Sequence, residues 1–242
     1  MNNTLSLAEF WLQFSHSPLF ALILTLLAFY IGNELYLKSG RNPLVNPVAI
    51  AVISVASAIT FLDIPYDTYF SGAGVIHFLL GTATVSLAVP IYLGFDKLRG
   101  KMIPIFAAIM AGSAVSIISA VGTARLLGAS DDIVGSLYAK SVTAPISMGI
   151  AERIHVSPTL TAVSTIITGI LGAILAKYVL NACRVPDMWM RGIALGTASH
   201  GIGAARAFSV NQQAGAFASL AMGLHGIYMA IMLPLAYNFF YG

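Results

Sequence analysis

The stretches RGIALGTASHGIGAAR (residues 191–206) and KSVTAPISMGIAER (residues 140–153) decide the fold that this chain is predicted to adopt. Both begin and end on a charged residue, and both are rich in glycine, alanine and hydroxyl-bearing residues. At 16 and 14 residues, each is shorter than the roughly 20 residues that a plain helix needs to cross a bilayer. We therefore predict two broken or re-entrant helices, which transporters use to place polar groups at mid-depth.

The sequence around these two segments is that of an integral membrane protein. Charged residues make up 9% of the 242 residues, hydrophobic residues make up 58%, and the mean hydropathy is +0.86. Soluble domains carry roughly 25% charged residues. Six runs without Asp, Glu, Lys or Arg each reach the length of a membrane span: 10–33, 42–62, 68–95, 102–124, 154–176 and 207–242. With the two short segments they predict an all-α polytopic fold, with about seven or eight embedded helices in a single domain over residues 1–242.

The positions of the basic residues predict the topology of the first half of the chain. Lys38 and Arg41 follow the first apolar run, and Lys97, Arg99 and Lys101 follow the third. Because cytoplasmic loops are enriched in Lys and Arg, we expect both loops to face the cytoplasm and the N-terminus to face outward. The basic residues form no stripe, so the net charge of +3 does not indicate nucleic-acid binding.

The sequence lacks the motifs that several functional classes need. The N-terminal MNNTLSLAEF has no Lys or Arg ahead of its apolar run, so no removable signal peptide is expected. Cys183 is the only cysteine, which excludes an internal disulfide and a cysteine-based metal cluster. The sequence contains no Walker loop, no HExxH motif and no GxSxG motif, and its five histidines are dispersed. We therefore expect no enzymatic activity, no metal site and no cofactor.

A weak internal similarity predicts an inverted repeat. Residues 84–95 lead through Pro104 into a helix of small residues, much as residues 141–154 lead through Pro158 into another. Repeats with interrupted helices at matching positions are typical of transporters whose site lies at the repeat interface. The alternative is that membrane helices rich in small residues resemble one another by composition alone.

The segment 140–153 contains a proline and several hydroxyls that suggest a binding site. Pro145 removes one helical donor and disfavours helical geometry at Ala144, which leaves carbonyls that need partners. Helical spacing places on two adjoining stripes Ser141, Pro145, Met148 and Glu152, and Lys140, Thr143 and Ser147. We predict that Lys140 or a helix N-terminus binds an anion and that Glu152 carries a coupling proton. Alternatively, Lys140 and Glu152 mark the water-exposed ends of a buried helix.

The segment 191–206 combines glycines, which allow close backbone approach, with side chains that donate hydrogen bonds. Helical spacing places on two adjoining stripes Ser199, Gly203 and Arg206, and Thr197, His200 and Gly201. We predict that Arg206 binds a carboxylate and that His200 carries a proton near neutral pH. The alternative is that the glycines serve helix packing and that Arg206 ends the helix at the cytoplasmic interface.

His225 is a further candidate because it lies inside the longest apolar run. An ionisable side chain at membrane depth is by default a functional hypothesis, so we predict a role in proton coupling. A satisfied interhelical hydrogen bond is an equally strong alternative.

The same residues carry a resemblance to a known family. The runs KSVTAPISMGIAE, PTLTAVSTIITGILGAILA, GIALGTASHGIGAARAF and GAFASLAMGLHGIYMAIMLPL closely resemble the LrgB (CidB) family of bacterial membrane proteins. The likeness extends to NPVAIA and FLLGTATVSLAVPIY and so covers nearly the whole chain. The family positions fall here on Lys140, Ser141, Thr143, Pro145, Glu152, Thr197, Ser199, His200, Gly201, Gly203 and Arg206.

This resemblance implies two functional interpretations. One is an antiholin-like protein that works with a smaller LrgA-type partner and is linked to murein hydrolase control and cell lysis. The other is transport, because the similar plastid protein moves glycolate and glycerate and bacterial relatives are tied to pyruvate uptake. The fused LrgA-like portion of the plastid form is absent here, which implies a separate partner protein. We also expect the bacterial cytoplasmic (inner) membrane and a homo-oligomer, with a dimer favoured.

The two interpretations make different demands on the sequence. A pore or lysis regulator has little use for two broken segments that carry hydroxyls, a histidine and opposed charges, whereas a solute carrier needs them. We therefore expect a secondary transporter for small monocarboxylates of the glycolate, glycerate, pyruvate or lactate type, facilitative or proton-coupled, that works by alternating access. The candidate sites offer mainly donors, with Glu152 the only embedded acid, which favours a carboxylate over a cation or a sugar. The alternative is an antiholin-like regulator of murein hydrolase export and cell lysis.

Overall fold

The computed structural model describes residues 13–15, 17–86, 89, 92 and 102–241. Within these residues the regular structure is helical, with no strand, which confirms the all-α fold class. The helices are α1 (Pro18–Lys38), α2 (Pro47–Phe61), α3 (Tyr66–Gly72), α4 (Gly74–Ser86), α5 (Met102–Leu126), α6 (Asp131–Ser136), α7 (Ala144–Arg153), α8 (Pro158–Ala182), α9 (Met188–Val210) and α10 (Gln212–Tyr241). The chain divides into two compact units, Met1–Thr84 and Val85–Gly242.

Four described helices, α1, α5, α8 and α10, are long and apolar enough to cross a membrane. The second predicted span is shorter than expected, because α2 has only 15 residues. The third predicted span, residues 68–95, is interrupted at Ala73, between α3 and α4. The total of seven or eight embedded helices therefore stays a prediction. So does the inverted repeat, whose first copy at residues 84–95 lies largely outside the described residues.

In the first unit, α1 packs against α2 through small residues. Ala28, Ala51 and Val55 form the buried cluster between the two helices. Gly32 permits the close approach, because a Cβ at this position would lie 2.7 Å from the carbonyl oxygen of Pro47. The side chain of Asn46 caps the start of α2 by accepting hydrogen bonds from the next backbone N–H groups.

The second unit is a bundle with two distinct ends. At the Met102 end, where α5 begins, Met102 and Trp189 pack against a cluster that includes Phe217, so α5, α9 and α10 all begin there. At the Leu126 end, where α5 ends, Ile154 and Leu233 pack together, so α7 and the later part of α10 lie there. Helix α8 runs back from the Leu126 end to the Met102 end.

Residues 131–153 form a hairpin that enters and leaves the bundle at the Leu126 end, here called hairpin 1. Its arms are α6 and α7, and its tip is the turn at residues 137–143. The last turn of α6 lies against the residues that follow α7, because a Cβ at Gly135 would lie 2.6 Å from the Val156 side chain. The tip reaches Ser116, where Ser141 Oγ lies 2.8 Å from Ser116 Oγ. Since Ser116 lies about 15 Å along the helix axis from the end of α5, the tip lies near mid-depth.

Residues 188–210 form a second hairpin, hairpin 2, because α9 is broken at His200, where φ is 42° and ψ is −133°. A Cβ at Gly203 would lie 2.5 Å from the carbonyl oxygen of Leu195, whereas a continuous helix would separate these residues by about 12 Å. The first arm instead runs parallel to α10, with Gly192 against Ala214 and Gly196 against Ala218. Hairpin 2 therefore enters and leaves at the Met102 end, and the predicted break in this segment is confirmed.

Candidate functional site

The tip of hairpin 1 brings a lysine to mid-depth in the second unit. Lys140 Nζ donates a hydrogen bond to Ser116 Oγ at 2.9 Å and lies 3.5 Å from Ser141 Oγ. Ser116 and Ser141 are themselves 2.8 Å apart, so the ammonium and two hydroxyls form one cluster. Neutral hydroxyls are therefore the hydrogen-bond partners of the Lys140 side chain in this cluster.

Thr165, in the first half of α8, links the two hairpins. Its Oγ1 donates to Ser147 Oγ of hairpin 1 at 3.1 Å. Its carbonyl oxygen lies 2.9 Å from His200 Nε2 at the tip of hairpin 2. Because a carbonyl only accepts, His200 Nε2 is the donor in this hydrogen bond. The hydrogen-bond chain therefore runs from one tip region to the other through a single residue.

The backbone of His200 adopts a conformation that ordinary residues rarely occupy. Its φ of 42° with ψ of −133° lies outside the helical and extended regions. Backbone strain of this kind persists only where surrounding structure enforces it, and it is concentrated at functional sites. Two glycines of α8 make room for this tip, since a Cβ at Gly169 would lie 2.7 Å from the His200 ring and one at Gly172 would collide with Ser199.

Several buried polar atoms near the tips have no hydrogen-bond partner among the described residues. They are Thr143 Oγ1, Thr197 Oγ1, Ser199 Oγ, and both ring nitrogens of His225. His225 is only 1% exposed, and its neighbour Gly226 packs against Ile146 of hairpin 1. Nearly all buried polar groups in proteins are paired, so these atoms need partners that the described residues do not supply, such as water or a bound ligand.

A cavity of about 530 Å³ leads toward the tips from the Met102 end. It lies between α5, the end of α8 and the first arm of hairpin 2, and Val185 and Trp189 line its outer part. Ser116 and Thr197 are its hydroxyl-bearing lining residues, and a Cβ at Gly112 would touch Thr197 at 3.4 Å. Through Ser116 the cavity reaches the Lys140 ammonium.

The stripes predicted from helical spacing are wrong in both segments. Helix α7 begins at Ala144 with Thr143 as its N-cap residue, so Lys140 and Ser141 belong to a turn. Pro145 lies in the first turn of α7, where its missing N–H leaves no gap in the helix, and it does not displace Ala144. In the second segment the break at His200 reverses the chain, so residues before and after it share no helical face.

Two charged candidates lie away from the tips. Arg206 is on the returning arm of hairpin 2, about 9 Å of helix beyond His200, and it lines a pocket with Lys177 and Arg191. Glu152 is exposed in the last turn of α7, at the Leu126 end of the bundle and away from the tip of hairpin 1. Gly201 is exposed, and Gly203 is buried where it lets the two arms of hairpin 2 close.

Ser116 and Thr165 are site residues that the sequence reasoning missed. Thr165 belongs to a buried stripe of α8 at a spacing of four residues, with Thr161, Gly169 and Ala173. Small and hydroxyl-bearing residues at this spacing in an apolar helix were the signal available for Thr165. Ser116 offered no comparable signal, because α5 contains several serines and small residues at similar spacing.

Comparisons with known proteins agree on one family. The LrgB-like family model matches residues 25–239. The chain is similar to "Uncharacterized protein YwbG" of Bacillus subtilis (strain 168), at 30% identity over 219 residues, which cover 90% of this chain and 97% of YwbG. It is also similar to "Holin-like protein CidB" of Staphylococcus aureus (strain Mu50 / ATCC 700699), at 28% identity over 223 residues, which cover 92% of this chain and 97% of CidB. No solved structure matches it.

Proposed function

Since the chain belongs to the LrgB-like family of multi-pass membrane proteins, we propose that it is a secondary transporter of small monocarboxylates. The observation that supports this proposal is the meeting of two hairpins from opposite ends of one bundle. Thr165 joins them inside the bundle, and buried polar atoms without partners among the described residues surround them. Solute carriers place their sites where interrupted helices meet near the bilayer midplane.

The chemistry at the tips favours an anion. Lys140 supplies a positive charge, and Thr143 and Thr197 supply hydroxyl donors whose oxygens have no partner among the described residues. The first N–H groups of α7 and of the returning arm of hairpin 2 also lack intrahelical partners, since each of these arms begins at a tip. Glycolate, glycerate, pyruvate and lactate each combine one carboxylate with an adjacent oxygen that such donors can bind. His200 and His225 are the proposed proton carriers.

The charge distribution of the second unit favours one orientation. Among the described residues, four basic residues and one acid lie near the Met102 end: Lys177, Arg184, Arg191, Arg206 and Asp187. In the same part of the chain, two basic residues and three acids lie near the Leu126 end: Arg125, Arg153, Asp131, Asp132 and Glu152. By the positive-inside rule the Met102 end faces the cytoplasm. The cavity of 530 Å³ is then the cytoplasmic access route, and α10 ends outside.

The proposal is tested by counterflow with the purified protein in liposomes. We expect saturable exchange of labelled glycolate, glycerate, pyruvate or lactate, above the level of protein-free liposomes and competed by the unlabelled acids. A protein that inserts correctly but exchanges none of the four acids contradicts the proposal.

The name of the Staphylococcus aureus relative supports a second candidate function. "Holin-like protein CidB" suggests a regulator of cell lysis that acts with a small LrgA-type membrane partner. In that case the purified protein moves no carboxylate, and its effect on lysis depends wholly on the partner. Measuring counterflow and lysis with and without the partner separates the two functions.

Alternating access requires that hairpin 1 moves relative to α8. Ser136 Oγ of hairpin 1 lies 3.5 Å from Ser164 Oγ of α8, so cysteines at these two positions would bring their sulfur atoms close together. In a Cys183→Ser background, we expect oxidation of the Ser136→Cys/Ser164→Cys variant to stop counterflow and a thiol reductant to restore it. The Ser164→Cys single variant is the control and should not respond to oxidation. Full flux from quantitatively cross-linked protein would show that hairpin 1 does not move against α8.

A further inference from the structure

A second polar pocket lies at the Met102 end, between α8 and both arms of hairpin 2. Its volume is about 250 Å³, and three basic side chains line it: Lys177 of α8, Arg191 of the first arm and Arg206 of the returning arm. No acidic residue is among the described residues that line it. Three basic side chains around one small cavity offer N–H donors and positive charge to an anion that binds there.

The geometry of these side chains is partly fixed by the protein. Arg191 donates from Nε to the carbonyl oxygen of Val185 at 2.8 Å and from Nη2 to Asn181 Oδ1. These bonds hold its guanidinium at the pocket and leave further N–H groups of the fork to donate. Lys177 is exposed, so its ammonium can turn toward a ligand. The pocket therefore combines one oriented guanidinium, a second guanidinium from the opposite arm and one adjustable ammonium.

We propose that this pocket binds the phosphate group of either free phosphate or an anionic phospholipid headgroup. A phosphate group offers more acceptor oxygens than a carboxylate, and Arg and Lys are the side chains that bind it best. The position at the end of the bundle, beside the last turns of α8, suits a headgroup, since basic pockets between membrane helices bind such groups. A phosphate bound here joins both arms of hairpin 2 to α8 and so stabilises the hairpin in its present position.

This pocket differs from the site at the hairpin tips in the number of basic side chains that line it. The candidate substrates carry one charge, which Lys140 balances alone, whereas three cations surround the second pocket. The binding experiment below needs no transport, so its result does not depend on whether the protein carries monocarboxylates.

The test measures the thermal unfolding midpoint of the purified full-length protein. One arm adds inorganic phosphate to delipidated protein in detergent, against sodium chloride at equal ionic strength. The other arm compares phosphatidylcholine nanodiscs with and without phosphatidylglycerol. We expect a saturable rise in the midpoint with at least one probe. Response to phosphate identifies the free anion as sufficient, and response to phosphatidylglycerol alone identifies the headgroup.

Variants assign the response to the pocket. Lys177→Gln and Arg206→Gln should weaken the apparent affinity by about tenfold or more, as expected for loss of a charge-assisted hydrogen bond. Arg153→Gln, an exposed arginine at the opposite end, is the matched control and should respond like the parent. If Arg206→Gln fails to fold, Lys177→Gln still decides, because Lys177 is exposed. The proposal is overturned if the parent responds to neither probe, or if Lys177→Gln keeps the full response.

Discussion

Gly196→Ala is expected to destabilise the second unit by about 3 kcal/mol, the upper part of the range for overpacked sites. The added Cβ would lie 2.1 Å from the carbonyl oxygen of Ala218. The obstructing atom belongs to the backbone of α10, so no side-chain rotation relieves the contact. Gly192 has the same relation to Ala214, at 2.2 Å, so the whole first arm of hairpin 2 would have to move away from α10. The thermal unfolding midpoint and the yield of monodisperse protein measure the loss.

Gly149→Ala is the matched control for this prediction. Gly149 lies in α7, and a Cβ there would meet no heavy atom within 4 Å. The same substitution should leave stability unchanged or raise it by up to about 1 kcal/mol, since alanine favours helix over glycine. Equal midpoints for the Gly196 and Gly149 variants would contradict the parallel packing of the first arm against α10.

Lys140→Gln is expected to lower carboxylate counterflow by about 10- to 100-fold, which corresponds to the loss of one hydrogen bond to a charged group. Lys140 supplies the charge at the tip of hairpin 1, where it donates to Ser116 Oγ. Glutamine keeps a polar, hydrogen-bonding side chain at this position, so folding should be retained. Initial rates of counterflow over a range of substrate concentrations measure the effect.

Arg153→Gln provides the comparison for this second prediction. Arg153 lies on the same hairpin, at the exposed end of α7 away from the tip. Its loss should leave counterflow at the parental rate. If Lys140→Gln transports normally while remaining folded, the anion does not bind at the tip of hairpin 1.

The existence of the two interrupted segments was predictable from their length and composition. Residues 191–206 are too short and too rich in glycine to form a plain span, and the structure breaks this segment. The break falls at His200 and not at Gly201 or Gly203, although glycine adopts a positive φ at the lowest cost. Tertiary contacts, such as the hydrogen bond from His200 to the carbonyl oxygen of Thr165, stabilise the unfavourable backbone conformation of His200.

The prediction that Arg206 shares a helical face with Ser199 assumed that the segment forms one continuous helix. Counting along a continuous helix places Ser199 and Arg206 on one face, but the count fails once the chain reverses between them. The same error placed Lys140 on a helix that begins only at Ala144. The contributions of Ser116 and Thr165 depend on which helices become neighbours, and helical periodicity within a single segment carries no information about that.

The position of Thr165 has a consequence for leakage. Both hairpins are fastened to this one residue, by Ser147 on one side and His200 on the other. Withdrawal of either hairpin breaks one of these bonds, and withdrawal of both at once breaks the two together. If the protein transports by alternating access as proposed, a conformation open at both ends is therefore the least favourable one, and Thr165 opposes a leak through the bundle.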